Sequence, residues 1–136
     1  MDVKQLKFEN TLYQDILDRD PSNTDVRLQL AYNYYYIGRE ENSSADYEKS
    51  LEHDLVLLEN APDNAMYQYN IACDYALLGR IEKSYQFLER AVRLGIDYET
   101  LVRDPDFEPM RRDTRFTRIL SKAKEKTLTD RGECDE

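Results

Sequence analysis

The sequence of 136 residues is poor in several residue types, and each shortage excludes something. It has no tryptophan, one histidine, two cysteines, four glycines and four prolines. The single histidine, His53, has no cysteine at metal-ligand spacing, so we expect a solvated helix face there and no zinc site. Cys73 and Cys134 lie in very different settings, which favours a reducing, cytoplasmic compartment over a disulfide framework. We expect no cofactor and no metal.

Long apolar runs and excess positive charge are also missing. No stretch reaches the roughly 18 consecutive apolar residues of a membrane-spanning helix, and the first ten residues lack the apolar core of a secretion signal. The formal net charge of -9 argues against nucleic acid or an anionic membrane as partner, because both need a positive surface. Neither a glycine-rich phosphate loop nor a catalytic triad motif occurs, so we predict no enzyme.

What the chain does have is helical periodicity, clearest between Asn64 and Gly95. Asn64 is suited to cap a helix and Gly79 to end it, since glycine takes a left-handed backbone cheaply. A second helix is predicted from about Ile81 to Leu94. The apolar positions of the first helix, spaced near one helical repeat, are Tyr67, Ile71, Ala72, Tyr75 and Leu78. Those of the second helix are Ser84, Phe87, Leu88, Ala91 and Val92. Ala72 would allow the two helices to approach closely.

This pattern has an earlier copy in the chain. The residues Leu17, Pro21, Asn23, Ala31, Tyr34, Gly38 and Arg39 recur 41 positions later as Leu58, Pro62, Asn64, Ala72, Tyr75, Gly79 and Arg80. The triplet Glu48-Lys49-Ser50, however, matches Glu82-Lys83-Ser84 at a spacing of 34. About seven residues are therefore inserted between Gly38 and Tyr47, where they lengthen a helix or form a loop. Ser43 or Ser44 as a cap favours a new helix start there.

The remaining segments are also predicted to be mainly helical. The first helix covers residues 4–19, with an apolar stripe of Phe8, Leu12, Tyr13, Ile16 and Leu17. The second, capped by Asn23 or Thr24, runs to about Ile37. The third runs to about Asn60, with Tyr47, Leu51, Leu55 and Leu58 inward. Residues 98–103 form a short helix, and residues 104–109 a turn-rich link containing two prolines. Asp113 caps a last helix to about Lys126, which covers the preceding helices, and residues 127–136 are predicted to be disordered.

The order of Ile71 and Ala72, Tyr75, Gly79, GRIEKS and Ala91 resembles the tetratricopeptide repeat, and residues 69–116 resemble the closing segment of many such arrays. Ser84 and Ile96 depart from the family pattern, which usually has Ala and Pro there. The resemblance implies an all-α fold: a short right-handed α-solenoid of antiparallel helix pairs with a C-terminal capping helix. The implied segments are a half-repeat at 1–22, a repeat at 23–61 with the insertion at 39–46, a repeat at 62–95, a capping segment at 96–126 and a tail at 127–136.

The same resemblance implies a non-enzymatic interaction module that binds an extended peptide of another protein in a tyrosine-rich concave groove. Carried onto this chain, the groove-facing positions are Leu28, Tyr32, Tyr35, Tyr36, Tyr69, Asn70, Cys73 and Ala76. Asn70 falls where the family often has an Asn that bonds a peptide backbone. The Lys and Arg that clamp acidic C-terminal peptides are absent, so an apolar, aromatic or proline-containing segment is favoured. Tyr34 and Tyr75 are expected to pack between helices, and the other tyrosines remain open to either role.

Two further hypotheses stay open. Exposed apolar ends of a short array favour a self-assembling scaffold, a homo-oligomer. A metal-dependent regulator or enzyme would use Asp104, Asp106 and Glu108, but two prolines interrupt these carboxylates and no glycine provides the sharp turn of a calcium loop. Cys73 has no neighbour that would lower its pKa, so we expect no nucleophile there. The basic cluster, Arg111, Arg112 and Arg115, either pairs with acids of the chain itself or docks an acidic partner, and we expect the former.

Overall fold

The structure is a computed structural model that describes residues 2–130 and 132. Its helices, in chain order, are α1 (Val3–Arg19), α2 (Thr24–Glu41), α3 (Ser44–Asn60), α4 (Ala65–Leu77), α5 (Ile81–Arg93), α6 (Tyr98–Arg103), a 3-10 helix (Pro105–Met110) and α7 (Thr114–Asp130). No strand occurs in these described residues, so the predicted all-α class is confirmed. None of the described helices combines the length and apolar content that crossing a bilayer requires.

The chain divides into two compact units, residues 1–61 and 62–136. In the first unit, α2 packs on both α1 and α3. In the second, α5 packs on α4 and α7, the 3-10 helix packs on α4, and α6 packs on α7. Each unit is therefore built from neighbouring helix pairs, as the sequence repeat predicts.

Local capping signals fix where the repeated helices begin. The side-chain oxygen of Asn23 accepts from the Val26 N–H at 3.1 Å, and that of Asn64 accepts from the Tyr67 N–H at 3.0 Å. Ser43 accepts from the Asp46 N–H at 3.3 Å and starts α3. The sequence predicted Asn64 as a cap, and Asn23 and Ser43 are each the first of two predicted candidates, because the orphan N–H groups of a first turn need an acceptor close in sequence.

The inserted residues lengthen two helices. α2 continues past its predicted end near Ile37 to Glu41, and Asn42 ends it in a left-handed conformation with φ of 50°. α2 and α3 have 18 and 17 residues, whereas α4 and α5 have 13 each. The insertion is thus absorbed as about one extra turn in each helix of the first repeat.

The glycines at matching repeat positions serve different purposes. Gly79, at φ of +76°, ends α4 as predicted. Gly38 lies buried inside α2, where a Cβ would stand 2.7 Å from the ring of Tyr47. Gly38 is therefore explained by the close approach of α2 to α3, and it does not form a turn.

The stripe predicted for α1 combines two opposite faces, and this is a correction. The residues of α1 buried against the unit are Leu6, Asn10 and Leu17. Phe8, Leu12 and Ile16 are 64%, 51% and 42% exposed. Asn10 can be buried because its Oδ1 accepts a hydrogen bond from Nδ2 of Asn33 on α2 at 2.9 Å. A polar residue therefore occupies a core position of α1 where a helical pattern predicts an apolar one.

The second unit has one hydrophobic core with small side chains between α4 and α5. Ala72 and Ala91 are fully buried there, and Ala31 is buried in the first unit. Ser84 is also fully buried, and its hydroxyl donates to the carbonyl oxygen of Ala72 at 2.7 Å. That bond satisfies the hydroxyl where the repeat pattern usually has Ala.

The C-terminal part of the described chain corrects two predictions. The predicted turn-rich link forms the 3-10 helix, and its Phe107 and Met110 are fully buried beside Phe116 of α7. α7 continues beyond Lys126 to Asp130, so the first residues of the predicted disordered tail are helical. The rest of that predicted tail, residues 131 and 133–136, lies outside the described residues.

Candidate functional site

One face of α2 carries an exposed apolar and aromatic surface. Leu28 and Tyr32 lie one turn apart on α2, and Tyr32 is 50% exposed. Tyr35 and Tyr36 continue this helix as partly buried side chains. The Tyr35 ring packs on that of Tyr47 at 6.4 Å, and the Arg39 guanidinium lies 5.8 Å from the Tyr35 ring centroid. The four predicted groove residues of α2 therefore include two that are accessible.

The matching face of α4 is covered by the chain itself. Tyr69, Cys73 and Ala76 are buried, and Asn70 is partly buried. The Tyr69 ring lies 5.7 Å from that of Phe107, and its hydroxyl donates to Oδ2 of Asp104. The segment from Asp104 through the 3-10 helix thus covers α4 residues that the sequence predicted to contact a peptide. Binding by these α4 residues stays a prediction, and it requires this segment to move.

A polar cluster fastens that segment to α4. The Cys73 thiol donates to Oδ2 of Asp104 at 3.7 Å, alongside the Tyr69 hydroxyl, and the Asp106 N–H donates to Oδ1 of Asp104 at 2.9 Å. Burial raises the pKa of Tyr69 far above its usual range, and the hydrogen bond to Asp104 and the charge of Asp104 raise it further. Burial also raises the pKa of Cys73, with further contributions from Asp104 and Asp106. Both groups keep their protons at neutral pH, so Cys73 has no thiolate with which to act as a nucleophile.

The same cluster brings together three side chains of metal-ligand type. The sulfur of Cys73 and carboxylate oxygens of Asp104 and Asp106 all lie within 4.8 Å of one another. The thiol is protonated in this arrangement, so a metal ion would have to displace that proton in order to bind the sulfur. Both oxygens of Asp104 already accept hydrogen bonds. The arrangement suits fastening better than ligation, and Glu108, the third predicted carboxylate, pairs with Arg111 at 2.9 Å.

Two arginines of the basic cluster pair with the chain's own oxygens, as predicted. Nη2 of Arg111 donates to the carbonyl oxygen of Asp104 at 2.7 Å. Nη1 of Arg115 donates to both carboxylate oxygens of Glu82, at 2.7 and 2.8 Å, and its Nε and Nη2 donate to Asp113. Arg115 therefore connects α7 to α5, and Arg111 connects the two ends of the 3-10 helix.

The first unit contains a polar cleft of about 590 Å³ that the sequence did not predict. It lies among α1, α2 and α3, and Lys7, Asn10, Asp15, Tyr34 and Asp46 are among its lining residues. The Nδ2 of Asn10 is buried and has no acceptor among the described residues. Charges of both signs line the cleft, so it selects no ligand class.

His53 is not on a solvated face, contrary to the sequence prediction. Its ring stacks on Tyr34 at 5.9 Å with an interplanar angle of 6°, and Nη1 of Arg27 lies 3.1 Å from its Nδ1. Because the guanidinium is a donor only, Nδ1 accepts and the ring is neutral. Burial lowers the pKa of His53 to about 4, and the positive charge of Arg27 contributes to this decrease.

We expect His53 to make the first unit less stable as the pH falls. The unfolded imidazole has a pKa of about 6.5, so between about pH 6.5 and pH 4 the unfolded chain binds more protons than the folded one. The free energy of unfolding therefore decreases through this window, by about 1 to 2 kcal/mol once solvent screening of the half-exposed ring is allowed for. Urea unfolding at a series of pH values should show a shallower decrease in His53→Gln than in wild type. Identical pH profiles would contradict the assignment.

The comparisons with known proteins give one partial likeness. The chain is 27% identical over 97 residues to a curated chloroplastic protein of Arabidopsis thaliana, and the match covers 68% of this chain and 29% of that protein. The chain thus spans less than a third of the length of this curated relative. No protein-family profile matches the chain, and no solved structure matches it.

Proposed function

We propose that the chain is a non-enzymatic interaction module of tetratricopeptide type that holds an extended segment of another protein against α2. The observation that carries this proposal is the exposed pair Leu28 and Tyr32 on α2, a helix that otherwise packs on α1 and α3. The repeat at 41 residues, with Asn23 and Asn64 capping matching helices, supports the family assignment. The proposal includes the arrangement of these helix pairs as a short solenoid and their location in a reducing, cytoplasmic compartment.

The chemistry of the α2 face indicates which segment it would hold. Aromatic rings give large contact areas at low entropic cost, and their hydroxyl groups reach the unpaired backbone groups of an extended chain. Within the described residues this face offers no free cation for an acidic peptide, because Arg39 lies against Tyr35. An apolar, aromatic or proline-containing segment therefore fits best. The 3-10 helix covers the corresponding face of α4, so the proposed peptide contact is limited to α2.

Site-specific photo-crosslinking tests the proposal. We expect benzoylphenylalanine at position 32, in the full chain expressed in its own cells, to capture a discrete protein. The same probe at Met66, which is also 50% exposed but lies in the other unit, should not capture it. Leu28→Asp should remove the crosslink from position 32. A peptide from the captured protein should then bind Tyr32→Ala at least about tenfold more weakly than wild type, which corresponds to about 1.4 kcal/mol.

The control variants decide the outcome. Equal capture at positions 32 and 66, or capture that survives Leu28→Asp, would show that the α2 face is not the contact. Circular dichroism should show unchanged helix content in each variant, because the substituted side chains are exposed.

A further inference from the structure

Helix α1 has a second apolar face that nothing in the described part of its unit covers. Phe8, Leu12 and Ile16, here called the α1 stripe, follow one another at intervals of four residues and are 64%, 51% and 42% exposed. They extend over about 12 Å of the helix. Single exposed apolar residues are ordinary, but three on one helix face form a contiguous patch of the kind that marks an interaction site.

The geometry of this face suits another helix. The opposite face of α1 carries Leu6, Asn10 and Leu17 and packs on α2. Apolar residues on two sides of one helix are typical of a helix that packs on both sides, and α2 of this unit is packed in that way, by α1 and α3. Residues four apart on a helix form a ridge that fits a groove of a neighbouring helix. A helical partner also suits this face because its backbone N–H and C=O groups are already hydrogen-bonded within the helix.

The charge of the unit selects the chemistry of the partner. Residues 1–61 contain six Lys and Arg against thirteen Asp and Glu, which gives a formal charge of -7 out of the chain's -9. Glu9 and Asp15 lie on either side of the α1 stripe in the helical projection, and Asp15 pairs with Arg19 at an exposed 3.3 Å contact. A second copy would bring a second charge of -7 to the contact and repel the first. A cationic partner is attracted instead.

We propose that the α1 stripe binds a basic amphipathic helix of another protein. Apolar side chains of that helix cover Phe8, Leu12 and Ile16, and its Lys and Arg face the acidic rim. This contact is separate from the α2 face, which takes an extended segment through Leu28 and Tyr32.

A designed peptide provides the probe. We would titrate the full chain into a fluorescein-labelled helix of about 14 residues, made of Leu at the i, i+3, i+4 and i+7 positions and Lys elsewhere, and follow its anisotropy. The matched peptide has Glu in place of Lys. We expect the Leu/Lys peptide to bind at least about tenfold more tightly than the Leu/Glu peptide, with affinity that falls as salt rises.

Variants locate the contact. Leu12→Gln combined with Ile16→Gln should weaken binding of the Leu/Lys peptide at least about tenfold, which is about 1.4 kcal/mol. The matched control Met66→Gln removes an equally exposed apolar side chain of the second unit and should leave binding unchanged. All substitutions keep good helix formers, so thermal unfolding should remain close to wild type.

Three results would overturn the proposal. They are equal binding by the double variant and wild type, equal binding of the two peptides, and self-association in sedimentation experiments that the double variant abolishes. The last would assign the α1 stripe to a second copy of this chain. None of them touches Leu28 or Tyr32, so failure here is distinguishable from failure of the α2 contact.

Discussion

Phe107→Ala is expected to destabilise the second unit by about 3 to 5 kcal/mol. The Phe107 side chain is fully buried, and its ring lies 5.7 Å from that of Tyr69 and 5.9 Å from that of Phe116. Truncation removes the contact between the 3-10 helix, α4 and α7 at once and leaves a cavity at their junction. Because domains are typically stable by about 5 to 15 kcal/mol, the loss is a large share of the whole. Urea unfolding followed by circular dichroism measures it.

Two variants make this expectation specific. Phe107→Leu keeps an apolar side chain in place and should cost less than half as much as Phe107→Ala. Leu94→Ala, at an exposed position of the same unit, should stay within about 1 kcal/mol of wild type. If Phe107→Ala were equally mild, the 3-10 helix would be only loosely held on α4. Tyr69 and Cys73 would then be accessible to a peptide after all.

Asn33→Leu is expected to destabilise the first unit by about 2 to 4 kcal/mol. Asn33 is fully buried, donates to Asn10 at 2.9 Å and accepts from Nε2 of Gln29 at 2.9 Å. After the substitution, Asn10 keeps a buried amide whose oxygen has lost its donor and whose nitrogen has no acceptor among the described residues. The desolvation of that amide is then uncompensated.

A double-mutant cycle separates this cause from simple loss of fit. Replacing both residues, Asn10→Leu with Asn33→Leu, removes the orphaned amide and should recover about 1 to 2 kcal/mol relative to Asn33→Leu alone. The free energies of unfolding of wild type, both single variants and the double variant give the coupling. Additive single effects would show that the two amides do not depend on each other.

Local chemistry made the helix starts predictable. Asn23, Ser43 and Asn64 each accept a hydrogen bond from an N–H three residues on, so the signal and its partner lie within one turn of sequence. The two faces of α1 were not separable in the same way. Asn10 is polar, yet it is buried with a hydrogen-bond partner, Asn33, that lies 23 residues away. The periodicity of α1 does not predict that contact.

The cluster on α4 shows the same limit. Tyr69 and Asp104 are 35 residues apart, and the repeat pattern ends before Asp104. Pro105 and Pro109 favour a link. Pro105, however, stands at the start of the 3-10 helix, where proline is tolerated, and Asp104 caps that helix through the Asp106 N–H, whereas Pro109 lies inside it. The apolar pair Phe107 and Met110, three residues apart, was the available signal for a packed segment.

The buried thiol of Cys73 can report on the opening of the second unit. Reagents that modify thiols need both access and a thiolate, and Cys73 is closed in and protonated beneath the segment that starts at Asp104. In a Cys134→Ser variant, the rate at which Cys73 is modified therefore measures how often that segment detaches from α4 or the second unit unfolds. Measured against denaturant concentration, the rate distinguishes local lifting from global unfolding, with no label added to the native chain.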